Sequence, residues 1–328
     1  MISIKSPGKG IQPNLINELI GIKSIRDIKK NDFFYLSDIH GPVSKKRSYK
    51  FKRPYGVPVR FHDYEEIVQD IDLDFVEFHL SYKDLSLDID NYISKNQDMF
   101  FAVHSPELFE DDHIMDLCSF DDAYRSKSIS LLNNVIDKTN KLKVYFNKTK
   151  CPVVVVNAGG WERSSFINND EKNKKYSLLQ ESLKEIELNS IQIAIQTMPP
   201  FPWHFGGQSF HNLFVCADEI VNFCEKNPEI KICLDISHTM MACNYYGWDF
   251  IDYIKKISPY VVHLHVVDAK GTDGEGVEIG KGDVNFKELF KVLKKHQKNI
   301  QFIPEIWQGH NNKGEGFWNA LNFLDGKF

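Results

Sequence analysis

The chain has 328 residues, of which 42% are hydrophobic and 26% are charged, a composition typical of a soluble globular enzyme with one large core. Its net charge of -5 argues against a broad nucleic-acid-binding surface, which requires an excess of basic residues. No apolar run reaches the about 18 residues of a membrane span, and the N-terminus lacks the apolar centre of a secretory signal. We therefore expect a cytoplasmic protein with neither a membrane nor a nucleic acid as partner.

The first 50 residues differ in pattern from the rest. They contain Gly and Pro turn signals, one short apolar piece typical of a helix, and the start of a basic connector, KKRSYKFKRP. Such a segment is too short for a core of its own. We therefore expect an N-terminal extension over 1–50 and one larger domain over 51–328.

From residue 51 the chain alternates between short apolar runs and amphipathic stretches. Eight strands are predicted, at 57–61, 74–81, 99–107, 152–157, 191–196, 231–237, 261–267 and 301–306. Helical spacing is found at 62–71, 128–143, 178–186, 286–296 and 317–324. Eight strand-helix repeats favour an α/β fold of the (β/α)8 TIM-barrel type. An open doubly wound sheet is the alternative, but it needs only about five or six strands and usually a Gly-rich first turn, which is missing.

Polar residues end four of the predicted strands: Gln196, Asp235, His265 and Glu305. A parallel barrel gathers the carboxyl ends of its strands at one mouth, so these side chains should converge. Asp, His and Glu together can hold a divalent cation.

The segments after the predicted strand ends are longer and more polar than the other connections, as expected for the rim of an active site. Trp161, Trp203 and Trp307 lie in or beside these segments, and His204 follows Trp203. An indole face can stack on a sugar ring, or it can simply cap the mouth of the barrel. We take Trp161 and Trp203 as candidate substrate-binding residues.

The cysteines are scattered and form no C-x-x-C pair, so in a cytosolic chain they are most simply reduced packing residues. They are Cys118, Cys151, Cys216, Cys224, Cys233 and Cys243.

A family resemblance rests on four features. They are Asp235-x-x-His238, His263-x-His265-x-x-Asp268, the segment GVEIGKGDVNF and Glu305. With these features, residues 51–328 resemble the xylose isomerase-like sugar isomerase and epimerase barrels, a superfamily that also includes the endonuclease IV barrels.

The resemblance implies a metal centre. A divalent ion (Mn, Mg, Co or Zn) would be held by Gln196, Asp235, His265 and Glu305. Glu305 would also be a catalytic base, and His238 would be a catalytic residue that binds a substrate oxygen.

Position 196 departs from the family, in which the residues matching Gln196 and Glu305 are normally both Glu and exchange a proton with the substrate from opposite faces. Gln196 cannot take a proton at physiological pH, although its carbonyl oxygen can ligate a hard cation. Three readings follow: a one-base isomerase, a different proton shuttle, or a barrel without catalysis. Candidates for another shuttle are His79, Glu77, His104 and Glu107.

His79 and His104 end the second and third strands, where the endonuclease relatives carry metal-binding histidines. We take both as candidate substrate-binding residues. The D-x-H motif that completes the endonuclease set is missing after the seventh strand, so abasic-site cleavage is not expected.

Some neighbouring residues have structural readings. By strand alternation, we expect one of His263 and His265 to point into the barrel wall, and we favour His265 as inward-facing and His263 as packing. Asp235 can cap a helix, and Asp268 is expected to orient His265 or the glycine loop. Two loop histidines are expected at the surface, His211 and His310.

The N-terminal stretch has a likeness of its own. SPGKGI, LIG at 19–21 and RDIKKNDFFYLSDI resemble the later half of the SAF (antifreeze-like) domain that closes sialic acid synthases. The likeness implies a chain related to, or cut from, fusions of a synthase, a SAF domain and an isomerase-like barrel. A sialic acid synthase domain or a second copy of the chain is thus a possible partner.

The sequence therefore predicts a metal-dependent isomerase or epimerase acting on a sugar or sugar phosphate, with a role in sialic (nonulosonic) acid biosynthesis resting on the SAF likeness alone. A non-catalytic sugar-binding or regulatory barrel associated with a sialic acid synthase is the alternative. Metal-dependent lyase or hydrolase chemistry at the same site is a third reading.

Overall fold

Eight parallel strands form the centre of the computed structural model. The structure describes residues 2–5, 10–11, 13–204, 207–296 and 299–328. Within these ranges it does not describe the side chains of Asn14, Trp203, His204 and His296. The strands are β1 Gly56–Val59, β2 Phe75–His79, β3 Phe100–His104, β4 Val153–Val156, β5 Gln192–Gln196, β6 Lys231–Asp235, β7 Val261–Val266 and β8 Gln301–Pro304. They coincide with the eight predicted runs and differ from them only at the ends.

The order of strands in the sheet follows the chain, and each strand pairs in parallel with the next. A bridge between Tyr55 and Phe302 brings the first strand against the last, and the Phe302 amide donates to the Pro54 carbonyl at 3.1 Å. The sheet is thereby nearly closed. The predicted TIM-barrel fold is confirmed, and the open sheet is excluded.

Two short helices precede β1, and the others follow the strands on the outside of the barrel. They are α1 Ile16–Leu19, α2 Ser37–His40, α3 Tyr64–Val68, α4 Asp122–Leu142, α5 Asn169–Lys184, α6 Ala217–Lys226, α7 Ile236–Tyr246, α8 Phe250–Ile257, α9 Phe286–His296 and α10 Asn311–Leu324. Short 3₁₀ helices at Tyr82–Ser86 and Ile89–Asn91 connect β2 to β3. Short strand pairs lie beyond the strand ends: Trp161–Glu162 with Phe210–His211, Trp203–His204 with Gly207–Gln208, and Asp268–Lys270 with Gly274–Val277.

Alternation along each strand separates the barrel interior from the layer under the helices. In β2, Val76 and Phe78 belong to the large core that packs on the helices, whereas Phe75 belongs to a small cluster with Ala102 and Ile303. A second small cluster contains Val155, Ala194 and Cys233. These small apolar clusters share the barrel interior with buried polar side chains, Glu77 and His263 among them.

The N-terminal segment lies against the outside of the barrel near α3 and α10. The Ser37 amide donates to Glu315 Oε1 at 2.6 Å, and Lys46 pairs with Asp325 at 2.8 Å. Within the segment, Arg26 pairs with Asp38 at 2.5 Å. Between residues 2 and 50, the described part contains no strand. The SAF likeness and the boundary near residue 50 stay predictions.

Two further sequence expectations concern features of the whole chain. No helix in the described ranges is long and apolar enough to cross a membrane. All six cysteines are free; Cys151 is exposed, Cys216 is partly buried and the rest are buried.

Candidate metal centre at the barrel mouth

The four strand-end residues meet at one place. Gln196 Nε2 lies 3.1 Å from Asp235 Oδ2, and His265 Nδ1 lies 2.7 Å from Glu305 Oε2 and 3.7 Å from Asp235 Oδ2. The parallel register accounts for part of this, because Asp235 and His265 are direct partners on β6 and β7. Three of the side chains are buried, and Glu305 keeps 28% of its side chain exposed.

The donor atoms of this group fit a divalent cation. His265 Nδ1 lies 2.7 Å from a Glu305 oxygen and 3.7 Å from an Asp235 oxygen, and these two spacings are compatible with ligands that each bond one ion at about 2.0–2.2 Å. The Gln196 amide nitrogen faces Asp235 and also lies 3.3 Å from His265 Nδ1. Half a turn of that amide would bring its oxygen, a possible ligand, to the same position.

Two further histidines border the group. The ring centroids of His79 and His104 are 4.9 Å apart, and those of His104 and His265 are 5.6 Å apart. His104 Nδ1 lies 2.9 Å from the Ser105 carbonyl, to which it can donate, and Nε2 lies 3.2 Å from Gln196 Oε1. The donor atoms of His104, His265 and Glu305 lie within 4.8 Å of one another. Residues proposed for substrate binding therefore adjoin the proposed ligands.

Opposite charges dominate the electrostatics of the group. Burial alone would raise the pKa of Glu305, but His265 and the neighbouring imidazoles lower it below its usual range. Burial lowers the pKa of His265, but Cys233, Glu305 and Glu77 together raise it well above the usual value. The two pKa values thus shift in the directions expected of an ion pair, at the place where a metal ion would supply the positive charge.

His238 connects the group to the rim. Its amide donates to Asp235 Oδ1 at 2.9 Å, so Asp235 caps α7 with one oxygen and faces the mouth with the other. The His238 ring lies between the Thr197 carbonyl, 2.8 Å from Nδ1, and Glu275 Oε1, 3.1 Å from Nε2. Burial lowers the pKa of His238, but Asp235 and Glu275 raise it to about 10. Asp235 therefore serves both as the cap of α7 and as a residue of the candidate site.

Asp268 holds the glycine loop that follows β7. Its carboxylate accepts backbone N–H groups from Gly280 and Gly282, both at 2.9 Å, and from Val284 at 3.0 Å. A Cβ on Gly282 would lie 2.2 Å from the Ala269 carbonyl oxygen, so only glycine allows this approach. The structure thus gives Asp268 the loop-orienting role that was one of its two expected roles.

A cavity of about 430 Å³ opens above the group. Its lining contains His79, Asp235 and Glu305 of the predicted site residues, together with Glu275 and Arg60. Trp307 also lines it and has 67% of its surface exposed.

Of the two tryptophans proposed for substrate binding, the structure describes the side chain of Trp161 alone. Trp161 is partly buried on a short strand paired with His211, with the Arg163 guanidinium 5.9 Å from its ring. The Trp203 side chain lies outside the described part of the chain, so its proposed role stays a prediction.

Two expectations were wrong. Residues two apart on a strand share a face, so His263 and His265 both point into the barrel, where both contact Glu77. His211 is 1% exposed and therefore is not a surface histidine, whereas His310 is exposed as expected.

Glu77 and Glu275 are the site residues whose roles sequence reasoning missed. Glu77 was considered only as a proton shuttle, although its position two residues before His79 already predicts that both side chains share the inner face. Glu275 has no such signal, because a hairpin beyond β7 brings it to His238.

Comparisons with known proteins agree with this architecture. Residues 66–326 match the profile of a family described as xylose isomerase-like TIM barrel. The uncharacterized protein MJ1614 of Methanocaldococcus jannaschii is 25% identical over 207 residues, which cover 62% of this chain and 69% of that protein.

Solved structures of sugar epimerases are also similar. The alignment with a D-tagatose 3-epimerase-like protein has a TM-score of 0.54 and 19% identity, and covers 83% of this chain and 98% of that one. The alignment with an L-ribulose 3-epimerase has a TM-score of 0.55 and 14% identity, and covers 82% and 92%. At these identities the likeness shows the fold alone.

Proposed function

The chain belongs to the family of xylose isomerase-like TIM barrels, and on that premise we propose that it is a divalent-metal-dependent isomerase or epimerase of a sugar or sugar phosphate. The observation that carries the proposal is the position of His265 at the mouth, with Nδ1 2.7 Å from Glu305 and 3.7 Å from Asp235. The sugar epimerases among the similar structures support the substrate class.

Asp235, His265 and Glu305 would hold the cation, with the oxygen of Gln196 as a further ligand and the imidazole of His104 within reach. When bound, the cation supplies a positive charge that polarises the substrate carbonyl and stabilises the negative charge that develops on its oxygen. The mixed oxygen and nitrogen donors suit Mn²⁺, Co²⁺ or Zn²⁺ as well as Mg²⁺.

Glu305 is the residue that would take the proton from the carbon beside the carbonyl. Its carboxylate lines the cavity and is partly exposed, and the neighbouring histidines keep it ionised by lowering its pKa. The ionised carboxylate can accept a proton, but its lowered pKa makes it a weaker base than a free glutamate. Gln196 cannot take a proton in this way. Either another group acts on the opposite face of the carbon, or Glu305 is the one base of the reaction.

His238 is the candidate for a second catalytic group, one that binds a substrate oxygen or transfers a proton. Its ring is fixed between the Thr197 carbonyl and Glu275, and its raised pKa makes it a hydrogen-bond donor at neutral pH. If a substrate oxygen takes the place of Glu275, the N–H at Nε2 can bind that oxygen and stabilise charge on it. The pair of His238 and Glu275 can also carry a proton between substrate and solvent, because Glu275 is 47% exposed.

The cavity indicates a small polar substrate. Its volume of about 430 Å³ suits an open-chain sugar. Arg60 and His310 line it, and a guanidinium there can pair with a phosphate or carboxylate group. The exposed indole of Trp307 offers a face for stacking on a sugar.

One observation favours a second candidate, a sugar-binding barrel without catalysis. Gln196 Nε2 donates to Asp235 Oδ2 and lies 3.3 Å from His265 Nδ1, so a neutral amide occupies the position of the expected Glu and partners two proposed ligands without a cation. In this reading the barrel would bind a sugar intermediate for an associated synthase. The link to sialic (nonulosonic) acid biosynthesis and to a synthase partner rests on the N-terminal SAF likeness.

Metal analysis and isotope exchange separate the two candidates. The purified protein would be assayed for bound metal and then incubated in D₂O with D-tagatose, D-fructose and L-ribulose and with their phosphates. We expect bound metal and deuterium at the carbon beside the carbonyl of at least one ketose. The Glu305→Gln variant should lose the exchange, whereas Glu315→Gln, which changes a buried carboxylate on α10, should keep it. Sugar binding without exchange would favour the second candidate, and absence of bound metal would contradict the metal centre.

A further inference from the structure

A carboxylate is buried at the centre of the barrel, directly below the proposed metal centre. Glu77 lies in the middle of β2, and its side chain is 0% exposed. Three imidazoles from two strands surround it. Its Oε1 lies 2.9 Å from His79 Nε2 and 3.1 Å from His265 Nε2, and its Oε2 contacts His263 Nε2. A buried charge with this many partners requires an explanation beyond packing.

These contacts determine which nitrogen of each ring remains available. A neutral imidazole has one N–H donor and one lone pair. Because an ionised carboxylate only accepts hydrogen bonds, Glu77 keeps the proton of His79 and of His265 on Nε2. The other nitrogens then point toward the mouth, where Nδ1 of His265 lies 2.7 Å and Nδ1 of His79 lies 3.8 Å from the Glu305 carboxylate.

His263 supports the same arrangement from below. The Gln301 side-chain amide donates to His263 Nδ1 at 2.9 Å, which leaves the proton of this ring on Nε2, facing Glu77. His263 is fully buried and lies two residues before His265 on β7. It therefore anchors the carboxylate without contacting the proposed ligands other than His265.

We propose that Glu77 is the positioning residue of the metal centre: it holds His265, and with it His79, in the tautomer whose Nδ1 lone pair faces the cation. The inference rests on the proposed function, since it concerns the same centre. A carboxylate behind a ligating histidine orients the ring and increases its basicity as a ligand. Nitrogen presented in this way suits Mn²⁺, Co²⁺ and Zn²⁺ better than Mg²⁺, which prefers oxygen ligands.

Calorimetric titration of the metal-free protein with MnCl₂, ZnCl₂ and MgCl₂ tests the proposal. In Glu77→Gln, the new NH₂ group can donate to an imidazole nitrogen and thereby favour the wrong tautomer. We expect this variant to bind Mn²⁺ and Zn²⁺ about 10- to 100-fold more weakly than the wild type, with a smaller change for Mg²⁺. The matched control is Glu315→Gln, whose carboxylate accepts the Ser37 amide outside the barrel, and it should bind like the wild type.

The outcomes are distinguishable. Wild-type affinity for all three ions in a folded Glu77→Gln variant would overturn the positioning role and leave the proposed function intact. A wild-type protein that binds none of the ions would remove the metal centre and this inference together.

A second measurement on the wild type covers the case in which Glu77→Gln fails to fold. In ¹⁵N-histidine-labelled protein loaded with Zn²⁺, the side-chain nitrogen shifts report the tautomer of each ring, and the His265→Asn variant identifies the His265 signals. We expect a protonated Nε2 and a metal-bound Nδ1. A proton on Nδ1 would overturn the proposal.

Discussion

Gln196 and Asp235 are joined by a hydrogen bond of 3.1 Å from the Gln196 amide nitrogen to Asp235 Oδ2, between the ends of β5 and β6. A glutamate at position 196 would instead place two carboxylates at this distance, and a cation would be needed to hold them together. The neutral amide thus lets the mouth remain assembled without metal, and it lowers the negative charge of the centre by one.

The substitution Gln196→Glu should make the centre more dependent on metal. We expect the affinity for Mn²⁺ to rise by about tenfold or more, because one negative charge is added beside the cation. The melting temperature of the metal-free variant should fall and should recover when metal is added. Calorimetry and thermal denaturation with and without chelator measure both effects. The control is Gln192→Glu, at the opposite end of the same strand. Equal Mn²⁺ affinity of Gln196→Glu and the wild type would show that position 196 lies outside the centre.

The two oxygens of Asp235 have separable roles. Asp235→Asn should abolish metal binding while costing little stability, because Asn caps helices about as well as Asp. Asp235→Ala should also lose the cap of α7 and about 1 kcal/mol of unfolding free energy. Urea denaturation of the metal-free proteins measures the difference. Equal stability of the two variants would contradict the capping role of the hydrogen bond to the His238 amide.

The His238 ring predicts a pH dependence of stability in the metal-free protein. Burial lowers its pKa, but Asp235 and Glu275 raise it from 6.5 to about 10 in the folded state. A raised folded-state pKa means that the stabilisation is fully present below about pH 6.5 and is lost as the pH rises through about 10. Urea midpoints measured in chelator between pH 6 and pH 10 should therefore fall.

The Glu275→Gln variant provides the comparison for this pH profile. It removes one of the three carboxylates that raise the pKa of His238, those of Asp235, Glu275 and Glu305, so the stabilisation by His238 should be lost at a lower pH than in the wild type. Superimposable profiles for the two proteins would contradict the pairing of His238 with Glu275.

Asp268 should contribute to stability and to the shape of the rim. The Asp268 carboxylate accepts hydrogen bonds from several backbone N–H groups, including those of Gly280 and Gly282. Asp268→Asn leaves a single oxygen to accept them. We expect a loss of about 1–3 kcal/mol in unfolding free energy, because buried N–H groups lose their acceptor. Urea denaturation measures it, with Asp273→Asn, an exposed residue of the same loop, as the control. A loss no larger than that of the control would contradict the role of Asp268 in holding the glycine loop.

The strands and their order were predictable because both depend on local pattern. Short apolar runs at regular intervals define a parallel barrel, and a barrel places strand ends at one mouth, so Asp235, His265 and Glu305 could be brought together without coordinates. The contact of Glu77 with His263 was not predictable in the same way. It crosses the barrel between two strands that are not neighbours in the sheet, and it depends on the stagger of the strands.

The errors have similar physical causes. His263 was assigned to the wall because alternation was applied to residues two apart, which in a strand lie on the same face. Glu275 reaches His238 only because a hairpin folds back over the mouth after β7, and loop conformation of this kind has no periodic signal. His211 is buried by its pairing with the strand of Trp161, another contact between distant segments.

The most direct measurement is anomalous X-ray scattering from crystals of the protein grown with MnCl₂ or ZnCl₂. The account predicts one strong peak at the barrel mouth, within about 2.0–2.3 Å of Asp235 Oδ2, His265 Nδ1 and a Glu305 carboxylate oxygen. A fully loaded crystal in which the peak lies elsewhere, or in which the mouth carries none, would contradict it.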